Sequence, residues 1–515
     1  MLRRNKGEYM SIWIIVSIYF FLMLVVGIIS ARKANSLTNF VVGGRSAGPW
    51  VSAFAYGTTY FSAVIFIGYA GRSGWDFGLW AVVIGVGNAL IGAYFAWKVL
   101  AERTRSVTRR LKIKTMPQLF EKRFFSKGMK IYAAVIIFIF MTPYSASVYS
   151  GLSYLCEKVL GIDYHLAMLG IAVIAAIYLV AGGYVASLQA DLIQGVIMIF
   201  GVIAMVFFVT RADAVGSLTT GVTKVFDSMA TGAVGASASK TIIGVISLVI
   251  LTSFGSWGLP QMVHKYYGIA NEKSVKTGTV ISTVFCAIIA ISAYFIGSLT
   301  RLFFTEVPVV NGVKNYDVMV PEVLVSSLPT VLLGVVLVLV LSASVSTLSG
   351  ITLTSCSTFS IDLMQSTLLP KMTKKTTLLL TRLLCLLFIA VSYLIASFKS
   401  PILTLMAFSW GSVAGAFLAP YLLTLYWKGI NKVGAWSGLI SGPALCITLA
   451  TLSGFNSANS AVYGVVSIAA SFVACFIGSK IGDKFSAKMS DNEQTAKEQF
   501  YDKDYTLQEK DAVTV

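Results

Sequence analysis

Residues 341–350 read LSASVSTLSG and follow directly on VLLGVVLVLV (331–340). Ser342, Ser344, Ser346, Thr347 and Ser349 therefore fall inside one long apolar run. Hydroxyls at such a depth are tolerable when each bonds back to the carbonyl one turn earlier. That is the expectation for Ser342, Ser344 and Ser349. Ser346 and Thr347 differ, because at about 100° per residue they share one helix face with Ala343. Two hydroxyls on one face, together with backbone carbonyls freed by a break in another helix, make the hard-oxygen set that a sodium ion wants.

The surrounding chain has the composition of a membrane protein. Of its 515 residues 56% are apolar and 12% charged, and the mean hydropathy is +0.79. Soluble domains carry about 25% charged residues. Apolar runs of roughly 20 residues recur, each long enough for a ~30 Å hydrocarbon core, whereas a barrel would show ~10-residue alternating segments. An all-α polytopic protein with about thirteen transmembrane helices is expected. The spans read as 11–31, 50–70, 77–99, 131–156, 165–182, 187–210, 241–262, 278–300, 331–355, 377–397, 403–426, 436–454 and 460–479. The first is too long for a signal h-region and has no small-x-small cleavage site.

The net charge of +18 does not indicate a nucleic-acid partner, because the basic residues lie in short loops between spans. That placement suits an anionic bilayer surface. Arg103, Arg105, Arg109, Arg110, Lys112 and Lys114 make the most basic loop. Arg32 and Lys33, Lys265 and Lys273, Lys371, Lys374 and Lys375, and Lys428 and Lys432 fall on the same side. The positive-inside rule then puts the N-terminus outside and the C-terminus in the cytoplasm of a cell membrane. Arg3, Arg4 and Lys6 disagree and are outvoted. The tail from Lys480 is polar and reads as a solvated extension, disordered or helical. Six cysteines without a CxxC pair indicate neither a zinc site nor a disulfide frame.

Two spans are interrupted. WVSAFAYGTTYFSAVIFIGYA (50–70) has Gly57 before Thr58 and Thr59, and TIIGVISLVILTSFGSWGLPQM (241–262) has Gly255, Gly258 and Pro260. Glycine eases departure from helical geometry, and proline removes a donor. These spans are five apart, the offset of an inverted five-plus-five repeat whose halves each begin with a discontinuous helix. Such paired interruptions point to a transporter's binding site. The chain then divides into an N-terminal segment and first helix (1–49), a core of repeat one (50–210) and repeat two (241–426), two further helices (427–479) and a tail (480–515). Spans two, four, seven, nine and eleven carry no Asp, Glu, Lys, Arg or His in their interiors. Proton-coupled carriers usually need such a group near the midplane. Neutral oxygens hold sodium loosely, and a potential of 100 mV adds ~2.3 kcal/mol per charge inward.

Four segments carry a family resemblance: FVVGGRSAGPWVSAFAYGTTYFSAVIFIGYAG (40–71), AGGYVASLQADLIQGVIM (181–198), FGSWGLPQMVHKYYGI (254–269) and LSASVSTLSGITLTSCSTFSIDL (341–363). In these the chain resembles the sodium:solute symporter family, up to about residue 480. The resemblance implies a five-plus-five inverted-repeat sodium symporter fold, sodium as coupling ion and no other cofactor. It implies sodium ligands at the carbonyls of Thr58, Phe61 and Ala343 and the hydroxyls of Ser346 and Thr347. Asp191 matches the family's acidic residue near the cytoplasmic exit, where it helps sodium leave. Candidate solute contacts are Tyr60, Phe61, Ser145, Tyr149, Ser253, Ser256, Trp257, Gln261, Ser409 and Trp410. Tyr60 departs from the proline branch, which has an aspartate there. Tyr60, Phe61, Ser62 and the GLPQ segment look closer to the pantothenate and monocarboxylate side.

The function expected is sodium-coupled import of a small organic solute, a carboxylate or zwitterion, by alternating access. With no charged residue expected in the pocket, half-helix N-termini and hydroxyls would meet the carboxylate. A neutral solute, another cation, or a sensor or channel on the same scaffold are the alternatives. No nucleophile and base pair or metal cluster indicates an enzyme. GVGNALIG (85–92) reads as a close-packing segment, and His165 and His264 carry no chemistry. Solute identity, stoichiometry and oligomeric state stay open.

Overall fold

The structure, a computed structural model, describes residues 6–32, 34, 36–231, 238–310, 312–455, 459–485 and 490–507. Arg3, Arg4, Lys33 and the tail beyond 507 lie outside them. Among the described residues eleven helices are long and apolar enough to cross a bilayer. Two features account for the difference from thirteen. Val64–Arg110 joins two expected spans, bent at Gly78 (φ 58°, ψ −135°), and the span expected at 165–182 appears as a shorter apolar helix, Tyr164–Ile177.

The chain begins with α1 (Lys6–Ala31) and, after a short connecting helix, α2 (Pro49–Tyr60). Pro49 opens α2, where its missing N–H costs nothing. Phe61 is extended (φ −105°, ψ 135°), and the helix resumes as α3 (64–77), followed by α4 (81–110). The first interruption therefore lies at Phe61 and Ser62, not at Gly57, which stays helical. Gly57 serves packing instead: a Cβ there would lie 2.3 Å from the Phe285 ring. The amphipathic α5 (Met116–Phe124) leads to α6 (Lys127–Leu160) and α7 (Tyr164–Val209), the latter broken at Gly183 (φ 53°).

The second interruption falls where Gly258 and Pro260 imply. α8 (Lys240–Gly258) ends, Leu259 is extended (φ −79°, ψ 121°), and Pro260 opens α9 (Pro260–Tyr267). A Cβ at Gly258 would meet the Leu418 backbone nitrogen at 2.7 Å, so glycine is needed for that approach. Then follow α10 (Glu272–Leu302), α11 (Thr330–Leu368), α12 (Lys374–Ser397), α13 (Ile402–Tyr426), α14 (Lys432–Leu452) and α15 (Ser460–Phe485). The apolar windows of α11 and α13 are 83% buried, against 28% for α1. α11 and α13 are thus the inner helices, whereas large apolar residues such as Phe200 and Phe398 are exposed on the outside.

The basic residues of 103–110 tie helix ends together. Arg45 donates to the carbonyls of Thr108 (2.8 Å) and Ile113 (2.6 Å), Arg109 to Ile269 (2.9 Å), Arg105 to Ala270 (3.2 Å) and Arg103 to Leu425 (3.0 Å). These donate to carbonyls at or just beyond helix ends. The tail also differs from expectation. It forms α16 (Asp491–Tyr501), which is docked rather than solvated. Phe500 is buried, Tyr501 Oη donates to the Thr424 carbonyl (2.8 Å), and Arg110 donates to the carbonyls of Phe500 (3.0 Å), Tyr505 (3.2 Å) and Asp502. A segment too short for a core of its own has used one already built.

Where α3 crosses α10 the backbones touch. A Cβ at Gly297 would sit 2.0 Å from the Ala70 carbonyl oxygen, whereas nothing lies within 4 Å of one at Gly170. Gly297→Ala is expected to cost about 3 kcal/mol or to abolish folding, while Gly170→Ala gains about 0.5–1 kcal/mol. The melting temperatures of the two purified variants check this.

Candidate ion and solute site

The break after Tyr60 frees backbone groups, and α11 meets them. In an unbroken helix the Ala63 N–H would bond the Thr59 carbonyl; here it donates to Ser344 Oγ at 3.0 Å. Likewise the Ile65 N–H donates to the Ser62 carbonyl, which leaves the Phe61 carbonyl free. Ser344 is therefore a cap for the break and not the back-bonded hydroxyl expected from the sequence. Ser349 does bond back, to Val345 (2.7 Å), and Ser342 does not.

Three carbonyls at the break converge on Thr347, beside the Ala343 carbonyl one turn back on α11. Its Oγ1 lies 3.0 Å from the Thr59 carbonyl oxygen, 3.2 Å from Phe61, 3.4 Å from Thr58 and 3.0 Å from Ala343. One hydroxyl proton can serve only one of four acceptors. The rest is a cage of unprotonated oxygens, whose chemistry fits a small hard cation. Ser346 meets the side chains of the same stretch of α2. Its Oγ is 2.6 Å from Asp191 Oδ1, 2.9 Å from Thr58 Oγ1 and 3.2 Å from Thr59 Oγ1.

Asp191 is fully buried, so it neither caps nor snorkels at an interface. Its Oδ2 accepts from Lys265 Nζ at 3.0 Å and from Ser187 Oγ at 3.3 Å. The sequence places Asp191 near the sodium exit but does not foresee the ammonium beside it. The carboxylate comes from α7 and the ammonium from α9, neither among the span interiors searched. Lys265, read from the sequence as a loop cation, is 2% exposed.

The expected solute contacts divide in two. Tyr60 Oη donates to the Thr252 carbonyl (2.7 Å), Ser256 Oγ to Ser253 (2.7 Å), Trp257 Nε1 to Ile91 (2.9 Å) and Ser409 Oγ to Phe140. Their polar atoms are committed within the protein. Ser145 Oγ, Tyr149 Oη, Ser253 Oγ, both amide atoms of Gln261 and Trp410 Nε1 are buried without partners. Ser145 and Tyr149 stand one turn apart on α6, and Trp410 lies edge-on to Tyr144 at 5.7 Å. Gly350 brings Gln261 near the cage, since a Cβ there would lie 3.0 Å from Thr59 Cγ2 and 3.9 Å from Gln261 Cβ.

Sequence reasoning missed Asn88. Its Nδ2 donates to Tyr60 Oη (3.0 Å) and Thr252 Oγ1 (3.1 Å). Both oxygens spend their own protons on carbonyls, Thr252 on Leu248 (2.7 Å). The amide is thus oriented, and Oδ1 remains an unpartnered buried acceptor. The signal was a polar amide inside GVGNALIG, costly in a membrane helix unless paired. It was hidden by reading that segment for its glycines.

The model of the sodium:solute symporter family matches residues 40–442. A sodium/proline symporter of Haemophilus influenzae is 29% identical over 450 residues, covering 83% of this chain and 85% of its own. Sodium/proline symporter 2 of Staphylococcus saprophyticus is 30% identical over 448 residues, covering 84% and 85%. Among solved structures, a substrate-bound, outward-open Na+-coupled sialic acid symporter has a TM-score of 0.76 at 18% identity, over 92% of this chain and 98% of that one. A nucleobase-cation-symport-1 family transporter in a closed conformation has a TM-score of 0.51 at 16% identity, over 90% and 98%. The likeness shows the fold, an all-α sodium symporter fold of five-plus-five inverted repeats with discontinuous helices.

The cap at the break is testable apart from any ligand. Ser344→Ala strands the buried Ala63 N–H and should cost about 1–3 kcal/mol. Ser349→Ala, which removes only a back-bond, should cost less than about 1 kcal/mol. Comparing their thermal unfolding in detergent distinguishes the two roles.

Proposed function

The chain belongs to the sodium:solute symporter family and so couples solute import to sodium; from that premise we propose how it does so and on what class of solute. Sodium binds between the break and α11, held by the carbonyls of Thr58, Phe61 and Ala343 and the hydroxyls of Ser346 and Thr347. The Thr59 carbonyl, equally close to Thr347, joins them. The observation that carries this reading is the single Thr347 proton facing four carbonyl oxygens.

These ligands belong to two elements, so the ion acts as a bond between them. Bound sodium draws α2 and α11 together; its departure leaves the carbonyls to one hydroxyl proton and loosens the joint. Rocking of repeat one (50–210) against repeat two (241–426) then exposes the site to alternate sides. The N-terminus lies outside, the arginine-tied face and α16 lie in the cytoplasm of a cell membrane, and Asp191 stands on the sodium exit.

The solute is a small carboxylate or zwitterion. Ser145, Tyr149, Ser253, Gln261 and Trp410 supply neutral hydrogen-bonding groups without internal partners. The N-terminus of α9 supplies a dipole for a carboxylate, and Asn88 Oδ1 an acceptor for an N–H. The named proline symporters among the relatives support a zwitterion. Tyr60, uncharged where the proline branch has an aspartate, supports a departure in detail. The wholly neutral contact set would also admit a neutral solute.

Uptake into proteoliposomes checks this, using labelled proline, a monocarboxylate, pantothenate and a neutral sugar. An inward sodium gradient should drive accumulation of one of the first three, and a proton gradient alone should not. Accumulation that follows protons and ignores sodium would overturn the ion assignment. In the double variant Ser346→Ala with Thr347→Ala, the sodium concentration for half-maximal uptake should rise at least about tenfold, since two of the cage oxygens are lost.

A further inference from the structure

We propose that the Lys265 ammonium is a built-in competitor for sodium at Asp191, replacing the ion as it leaves and so setting the speed of its release. The inference rests on the sodium site proposed above and adds a residue to its mechanism. Three elements meet at this carboxylate: α7 carries Asp191, α9 carries Lys265 and α11 carries Ser346. One oxygen accepts from Ser346 (2.6 Å), the other from Lys265 (3.0 Å). Both side chains of the pair are enclosed, at 1% and 0% exposure. The ammonium also lies 5.4 Å from the Tyr184 ring centroid.

A buried ion pair is a poor way to add stability, because desolvation offsets the attraction. This one instead has a consequence for a neighbouring cation. A sodium ion held through Ser346 is one hydrogen bond from the carboxylate. Were Asp191 unpaired, the ion would have a full counter-charge and would be held tightly. With Lys265 in place the pair is neutral overall, and sodium gains only what the ammonium yields. As the ion moves off, the ammonium closes on the carboxylate and prevents its return. The cation is supplied by the half of the broken helix that follows Pro260, so the exchange is linked to the position of α9.

One unit charge roughly 6–10 Å away at an effective dielectric of about 20 changes binding ten- to a hundredfold. Lys265→Met should therefore raise apparent sodium affinity ten- to a hundredfold in reconstituted uptake while lowering turnover, with slower release of radioactive sodium from preloaded protein. Lys265→Arg, which keeps the cation, should restore sodium affinity to within about threefold of the native value. Asp191→Asn alone leaves the ammonium unbalanced beside the site and should weaken sodium at least about tenfold. Adding Lys265→Met to it should reverse that loss. Should Lys265→Met alone fail to fold, the comparison of Asp191→Asn with the double variant still decides, because it changes the same charge.

Unchanged or weaker sodium binding in folded Lys265→Met, or no recovery in the double variant, overturns the proposal. That failure is separable from failure of the sodium site. The site stands if Ser346→Ala with Thr347→Ala weakens sodium, whatever Lys265→Met does.

Discussion

A transmembrane helix that stops hydrogen bonding to itself must find partners for the groups it frees, since the bilayer offers none. The break at Phe61 and Ser62 meets this constraint through α11. Ser344 takes the Ala63 N–H, and Thr347 faces the carbonyls of Thr58, Thr59 and Phe61. Donor and acceptor are not matched in number. The N–H is satisfied by one hydroxyl, but the carbonyls exceed the protons available. That imbalance leaves an oxygen-rich joint between α2 and α11. α11 is enclosed, and it stands against the break through Ser344, Ser346 and Thr347.

Electrostatics at the two depths follow different rules. At the helix ends, Arg45, Arg103, Arg105, Arg109 and Arg110 work as donors to terminal carbonyls, a use suited to a planar guanidinium with several N–H groups. These contacts knit helix ends to one another, and Arg110 ties them to α16. Inside, Asp191 and Lys265 face each other where water does not reach, and their charges nearly cancel. The surface set organises the fold; the inner pair sits where a moving cation would feel it.

Much of this was legible in the sequence because membrane helices must be apolar and long. The spans, the two interrupted helices and the hydroxylated face of 341–350 follow from local pattern. The second break was located by Gly258 and Pro260, which act on their own backbone. The first was placed too early, because Gly57 is small for the sake of Phe285, a residue of another helix. Ser344 was misjudged for the same reason. A hydroxyl in a helix bonds back unless a distant N–H needs it, and the need of Ala63 is invisible locally. Asn88 and Lys265 were set aside on the character of their neighbours, whereas their partners are Tyr60, Thr252 and Asp191.

By itself the sequence determined the membrane environment, the helical class, the repeat offset and the neutral, oxygen-rich character of the face carrying Ser346 and Thr347. These depend on composition and on periodicity along one helix, which tertiary context does not alter. Only the tertiary structure decided which freed carbonyls meet which hydroxyl, that Asp191 and Lys265 adjoin Ser346, and that α16 is docked. Those are contacts between elements up to several hundred residues apart. They are set by close approaches such as Gly297 on Ala70 and Gly258 on Leu418, whose geometry no stretch of sequence contains.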